Sequence, residues 1–242
     1  SEEDNSAAEN AFDDVANNVD QSADENKMSG SAKTGSVEMD YTTTGNCKVV
    51  TVNPPAWDTT TTPWTWNATF PKTITVDFGT GCTGLDGKVR KGKIITTVTG
   101  KYRDSLTVIT TTTDNYYVND YKVEGTRTVT NQGKNPSNQT YFTIVVAGGK
   151  VTTPDGKIIT WESSRIRTWI EGENTKWHTK NPDSTLMGFQ GVLDDVYSVS
   201  GSGSGVNRDG IAFTVTITEN LRVQFCQWKI EVTDGTVEIQ PQ

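Results

Sequence analysis

Alternation of apolar and hydroxyl-bearing residues dominates this chain from about residue 72 to residue 239. In the stretch 211–218, one parity holds Ile211, Phe213, Val215 and Ile217, and the other holds Ala212, Thr214, Thr216 and Thr218. Because successive side chains of a β-strand point to opposite faces, this pattern predicts strands with one apolar face and one hydroxyl-rich face. It restricts the fold class to all-β.

The alternation divides into ten candidate strands, at 72–78, 89–103, 105–113, 115–130, 140–147, 157–170, 195–206, 210–218, 221–233 and 236–240. Asp-Gly or Gly-Gly pairs at 86–87, 148–149, 155–156, 209–210 and 234–235 are typical of hairpin turns. No segment between the strands has a helical period, so the strands must pair antiparallel. The predicted fold is a long-stranded antiparallel meander that forms a sandwich, a barrel or a half-barrel.

Charge separates the N-terminus from the rest of the chain. Residues 1–30 hold nine acids and one base, which gives 1 − 9 = −8, the whole net charge of the protein. Residues 31–242 hold 21 bases and 21 acids. A neutral body behind an acidic leader argues against nucleic-acid binding, which requires a basic surface.

The leader contains one predicted helix. Apolar residues recur at spacings of three or four: Ala8, Ala11, Phe12, Val15 and Val19. This is one face of a short amphipathic helix, with Asp13, Asp14 and Asn17 on other faces, and it needs the β body or a partner to dock on. We expect residues 1–6 to be disordered and 20–36 to be a linker. The domains are then a leader at 1–36 and a β domain at 37–242, read either as one unit or as two similar halves at about 72–150 and 151–242.

Three cysteines, Cys47, Cys82 and Cys226, have no zinc-site spacing. They are either three buried thiols or one bridge with one thiol left over. In the second case Cys47 and Cys82 are the favoured pair, because they flank a Pro/Trp-rich loop that has little regular structure to hold it. We expect no metal and no cofactor.

Catalytic residues are not indicated. His178 is the only histidine and lies in a polar loop, and no nucleophile motif accompanies it. Four acids are candidates for a hydrolase by residue type alone: Glu124, Glu162, Glu171 and Asp195. The sequence singles out no pair among them, so we predict no catalytic residue.

Tryptophans in loops are the candidate ligand-binding residues. Trp57, Trp64 and Trp66 lie in a segment with four prolines, and Trp177 lies in an insertion at about 171–193. Aromatic faces in loops can stack on sugars or on hydrophobic ligands. The alternative is that they pack over the open ends of the β body, where a large ring buries much area.

The body resembles secreted lipoproteins of Bacteroidetes, a family without a known activity. The segments that carry the resemblance are 71–82, 100–104, 114–117, 123–131 and 153–161, and it extends over nearly everything after residue 37. The start, Ser-Glu-Glu-Asp, resembles the export signal that follows the lipidated cysteine in that phylum. The resemblance implies display on the outer face of the outer membrane, tethered through a lipid on a cysteine that precedes Ser1.

The sequence therefore predicts a non-enzymatic surface lipoprotein that binds a glycan or an outer-membrane partner. One alternative is a carrier of an apolar ligand or lipid in a half-barrel. The other is a hydrolase with acidic catalytic residues.

Overall fold

The computed structural model describes residues 2–25, 48–63, 65–84, 86–173, 194–226 and 229–242. These residues form one helix, α1 (Glu2–Glu25), and thirteen strands. The strands are β1 (Val49–Asn53), β2 (Trp57–Asp58), β3 (Thr65–Trp66), β4 (Lys72–Asp77), β5 (Cys82–Thr83), β6 (Val89–Val98), β7 (Val108–Val118), β8 (Tyr121–Lys134), β9 (Thr140–Thr152), β10 (Ile158–Glu171), β11 (Val196–Val206), β12 (Ala212–Cys226) and β13 (Lys229–Pro241).

Eleven of the strands form a single antiparallel sheet, in the order β1-β4-β6-β7-β8-β9-β10-β11-β12-β13, with β5 beside β6. This confirms the all-β antiparallel fold with an N-terminal helix. The sheet does not close into a barrel. The predicted alternation is clear in β12, where Phe213, Val215 and Ile217 are buried while Thr216 and Thr218 are exposed.

The antiparallel order gives the sheet two distinct ends. At one, here called the turn end, the strands reverse through the short turns at 84–88, 119–120, 153–157 and 207–211. At the other, the loop end, lie the turn at 135–139 and three longer connections, at 54–71, 99–107 and 172–195. The connection at 54–71 carries β2 and β3, which pair only with each other.

Several predicted strand boundaries were wrong for a physical reason. Asp234-Gly235 and Gly148-Gly149 are not turns but lie within β13 and β9, at or beside irregularities in the ladder. Asn115, with a φ of 46°, lies within β7 opposite Gly92, and the chain reverses instead at Asn119-Asp120. A bulge uses the same residue types as a turn, so their presence alone does not say which one forms.

Helix α1 is longer than predicted. It begins at Glu2, within the stretch expected to be disordered, and it continues to Glu25, within the expected linker. Its buried side chains are those of Asp4, Asn5, Ala8, Ala11, Phe12, Asp14, Val15, Ala16 and Asn18. At 100° per residue these positions cover about 200° of the helix circumference, more than the stripe that a helix buries on a flat surface.

The sheet therefore curves around α1 and forms a trough that holds it. Apolar residues of β4, β6, β8, β9, β10 and β12 join Ala8, Phe12 and Val15 in the main core cluster. Val50 in one edge strand and Ile239 in the other also pack against this cluster. A smaller cluster of Val129, Phe142 and Trp169 lies nearer the loop end.

Candidate functional site

The β2–β3 hairpin at the loop end forms an open surface hollow of about 460 Å³. Trp57 and Trp66 are paired in register across the hairpin, and Trp57 is half-buried against the main core. The hollow is lined by Pro55, Trp57, Asp58, Thr59, Thr60, Thr65, Asn67 and Ala68. It thus combines one aromatic ring with hydroxyl, amide and carboxylate groups.

Hydrogen bonds within the hairpin fix this polar lining. The Asp58 carboxylate accepts the Thr60 hydroxyl at 2.6 Å and the Thr60 main-chain N–H at 2.9 Å. These two donors lower the pKa of Asp58, so the side chain is charged at neutral pH. Asn67 donates its main-chain N–H to the Ala56 carbonyl, and the Asn67 side chain accepts the N–H of Thr69. The hollow is therefore built before any ligand arrives.

The structure locates part of the predicted tryptophan set, and ligand binding by these residues stays a prediction. The structure brings Trp57 and Trp66 together on neighbouring strands, and it places Trp57 in the lining of the hollow. Trp64, Trp177 and the Trp66 side chain lie outside the described residues. The polar members of the lining carried no sequence signal, because threonine and asparagine are common in turns of every kind.

The cysteine prediction is also answered in part. Cys82 in β5 is buried and forms a disulfide bond. Cys47 and the Cys226 side chain lie outside the described part of the chain. The pairing of Cys47 with Cys82 therefore stays a prediction.

The trough holds α1 through a buried ionic site near the turn end. Asp14 of α1 accepts two hydrogen bonds from Arg90 of β6, at 2.6 Å from Nη2 and 3.0 Å from Nε. Tyr116 of β7 donates its hydroxyl to the same carboxylate at 2.6 Å, and Lys88 lies at 3.0 Å. Burial alone would raise the pKa of Asp14, but these donors together lower it. Asp14 is consequently a buried carboxylate that remains ionised.

Two more acids of α1 meet basic residues of the sheet. Glu9 lies 2.8 Å from Arg165 of β10. Asp4 pairs with Arg208 in the turn between β11 and β12. The helical period had placed Asp14 away from the apolar face, and burial of a charged side chain there was not predicted. It follows from the curvature of the sheet, which covers the flanks of the helix as well.

Phe12 is the central apolar contact between α1 and the sheet. A Cβ atom added to Gly125 or Gly149 would lie 3.1 or 3.2 Å from the Phe12 ring. The ring centroids of Phe12 and Trp161 are 5.5 Å apart. The two glycines of β8 and β9 therefore form a recess, here called the glycine recess, that admits the Phe12 ring.

Arginine and aromatic side chains are interleaved at the loop end of the trough. The Arg167 guanidinium lies 5.1 Å from the ring centroids of both Phe142 and Tyr197, and that of Arg103 lies 4.4 Å from Trp169. Buried Asp195 accepts hydrogen bonds from the Trp169 indole at 3.1 Å and the Tyr197 hydroxyl at 3.2 Å. Burial raises the pKa of Asp195. Asp195 directly precedes β11, so these hydrogen bonds fix the start of β11 against β10.

A small cavity separates this cluster from α1. It measures about 20 Å³ and its lining includes Ala16, Tyr102, Thr111 and Val129. That volume accommodates about one water molecule. At this point the space left between α1 and the sheet is therefore small.

The four carboxylates considered for hydrolysis have separate structural partners. Glu124 pairs with Lys122 and Lys150, and Glu171 pairs with Arg222. Glu162 accepts the main-chain N–H of Gly148 at 2.7 Å. Together with Asp195, they are held by different neighbours, and no contact between any two of them occurs in the described part of the chain.

Comparisons with known proteins add no identity. No family model, no curated protein and no solved structure matches this chain. Among the residues that the structure describes, no group of three or more His, Cys, Asp or Glu side chains is placed to hold a metal ion. In the same residues, no helix is both long and apolar enough to cross a bilayer.

Proposed function

We propose that this protein is a binding module of the cell surface, and that the hollow of the β2–β3 hairpin takes a glycan. The observation that supports this proposal is the lining of the hollow, to which Trp57 contributes an aromatic residue and Asp58, Thr59 and Thr65 contribute polar ones. A sugar ring has an apolar face and a polar periphery, and such a mixed lining complements both.

The position of the hairpin suits a ligand that approaches from outside the cell. As part of the proposal, the chain is tethered through a lipid that directly precedes Ser1. Asp4, close to that point, is bound to Arg208 at the turn end. The hairpin lies at the loop end, so the hollow faces away from the membrane in this arrangement.

The two alternative functions have less support. A carrier of lipid needs an open apolar trough, whereas α1 occupies the trough with Ala8, Phe12 and Val15 buried. A hydrolase needs two facing carboxylates, whereas the candidate acids have separate structural partners. Neither alternative is favoured by a specific observation.

The first experiment is a glycan array probed with the full chain, followed by calorimetric titration of each glycan that binds. Trp57→Ala removes the stacking ring, and we expect it to weaken binding about tenfold or more. Thr59→Val keeps the side-chain shape and removes one exposed hydroxyl. A lost hydrogen bond of about 1 kcal/mol corresponds to an affinity loss of about fivefold.

The matched control is Tyr117→Ala, which removes a half-buried ring at the turn end of β7, away from the hairpin. It should leave the affinity unchanged. An array without any bound glycan contradicts the proposal, and so does a bound glycan whose affinity is the same for the wild type and for both hairpin variants. Circular dichroism of each variant checks that the sheet is intact.

A further inference from the structure

Side chains hold α1 in the trough. Among the described residues, no hydrogen bond from main chain to main chain joins α1 to a strand. The strands satisfy one another's main-chain groups within the sheet. The trough therefore recognises α1 as a groove recognises a bound helix, through side-chain anchors on one side of the helix.

The anchors have a specific spacing. Acids at positions 4, 9 and 14 of α1 are five residues apart, and they meet Arg208, Arg165 and Arg90 respectively. Phe12 lies between the second and third acid and enters the glycine recess at Gly125 and Gly149. An occupant of the trough needs this combination of charge and shape, and α1 of another copy of this chain has it.

The connection between α1 and the sheet is long. Residues 26–47, 22 in number, separate Glu25 from Lys48, where the described chain resumes next to β1. Connections between neighbouring elements are usually about 2–6 residues. A chain of 22 residues spans about 75 Å when fully extended, which is enough to reach the trough of an adjacent molecule.

We propose that α1 is an exchangeable occupant of the trough, and that two copies of this chain associate by exchanging their α1 helices. Each helix then makes in its neighbour the same contacts that it makes in its own chain. The two exchanged contacts are related by twofold symmetry, as in other domain-swapped dimers. In a free monomer the tether keeps the chain's own α1 at an effective concentration of about millimolar, so the exchanged dimer forms where copies are crowded or where the helix is weakened in its own trough.

A reciprocal charge reversal tests this proposal with full-length chains. One variant carries Asp4→Arg and the other carries Arg208→Glu. Each variant places like charges together in its own trough. In a mixture, however, the introduced arginine of the first helix meets the introduced glutamate of the second trough, and the second helix keeps its native Asp4–Arg208 pair in the first trough.

We expect the equimolar mixture to form a heterodimer of twice the 26.4 kDa monomer mass, detected by size-exclusion chromatography with light scattering. Its dissociation constant should be at least tenfold lower than that for self-association of either variant. The double variant Asp4→Arg/Arg208→Glu restores an opposite-charge pair within one chain, and it should behave as a monomer at the same concentration.

Two results would overturn the proposal. The first is a mixture that elutes as two monomers at concentrations up to about millimolar. The second is dimerisation of each variant alone with the same affinity as in the mixture. If circular dichroism shows that either variant has lost its sheet, the same design is repeated with Glu9→Arg and Arg165→Glu. Glu9 lies in the first half of α1 and Arg165 in β10, and this second pair has the same predicted outcomes.

Discussion

At the scale of single residues, the Asp14 carboxylate links the helix to the sheet. It is 4% exposed, yet it keeps its charge because Arg90, Tyr116 and Lys88 all donate to it. Removal of one partner from a buried ion pair leaves the other charge unpaired, which costs more than the pair itself contributes. Arg90, which is 7% exposed, would keep only Asp86 as a partner.

Asp14→Asn should therefore lower the free energy of unfolding by about 3 kcal/mol at pH 7. The pKa of Asp14 is lowered in the folded protein. The stabilisation that it provides is then complete above the unfolded-state pKa of about 3.9, and it is lost as the pH falls through the folded-state pKa. Urea denaturation of the wild type and of the variant at pH 7, 4.5 and 3 measures this. A stability difference that does not narrow at acidic pH would contradict the assigned charge.

A single hydroxyl can be tested in the same site. Tyr116→Phe removes one donor to Asp14 but leaves the buried ring in place, so its cost should be smaller than that of Asp14→Asn. This variant serves as the matched control for the pH series, since Asp14 still titrates in it.

At the scale of elements, the sequence predicts strand positions, which depend on local residue patterns. It does not predict sheet closure, which depends on contacts between distant segments. The two-residue alternation located β4, β6, β10 and β11 to within a few residues. It did not locate the reversal between β12 and β13, whose facing ends at Cys226 and Lys229 carry no turn signal. It also left sandwich, barrel and half-barrel open. Closure depends on whether β1 and β13 pair, and Asn53 and Lys229, the facing limits of these edge strands in the chain, are 229 − 53 = 176 residues apart.

In the candidate site, too, features that depend on neighbouring residues were predicted and features that depend on distant residues were not. A Trp-rich loop was predicted from Trp57, Trp64 and Trp66, which share one short segment. The pairing of Trp57 with Trp66 in the β2–β3 hairpin was not predicted. The burial of Asp4 and Asp14 was not predicted, since it depends on Arg208 and Arg90, which reach the helix only after the whole sheet has formed.

Helix α1 is docked chiefly through Phe12, which is 3% exposed and adjoins Trp161. Phe12→Ala should lower the free energy of unfolding by about 3–5 kcal/mol, because it leaves a cavity above Gly125 and Gly149. Phe12→Leu fills part of that cavity and should cost less. Urea denaturation followed by tryptophan fluorescence compares the two variants. An equal loss of unfolding free energy in both variants would indicate that the glycine recess does not select for the phenyl ring.

At the scale of the whole molecule, stability is distributed unevenly across the sheet. Strands β4, β6, β8, β9 and β10 pack against α1 and share its core. β13 pairs only with β12 and forms one edge of the sheet, and Val232 and Val237 are 60% and 40% exposed. A strand with few buried apolar contacts opens at lower free energy than the core does.

Native-state hydrogen exchange should therefore divide the molecule into two classes of amide. Amides of β8, β9 and β10 lie in ladders that are paired on both sides and covered by α1, so they should exchange only through global unfolding. Hydrogen-bonded amides of β13 should exchange through local opening, at rates about tenfold or more above those of the central strands. The irregular register at Gly235 interrupts the β12–β13 ladder and favours such opening. Mass spectrometry of peptides from β9 and β13 after timed exchange makes the comparison, and equal protection of the two strands would show that the edge is held by contacts beyond the β12 ladder.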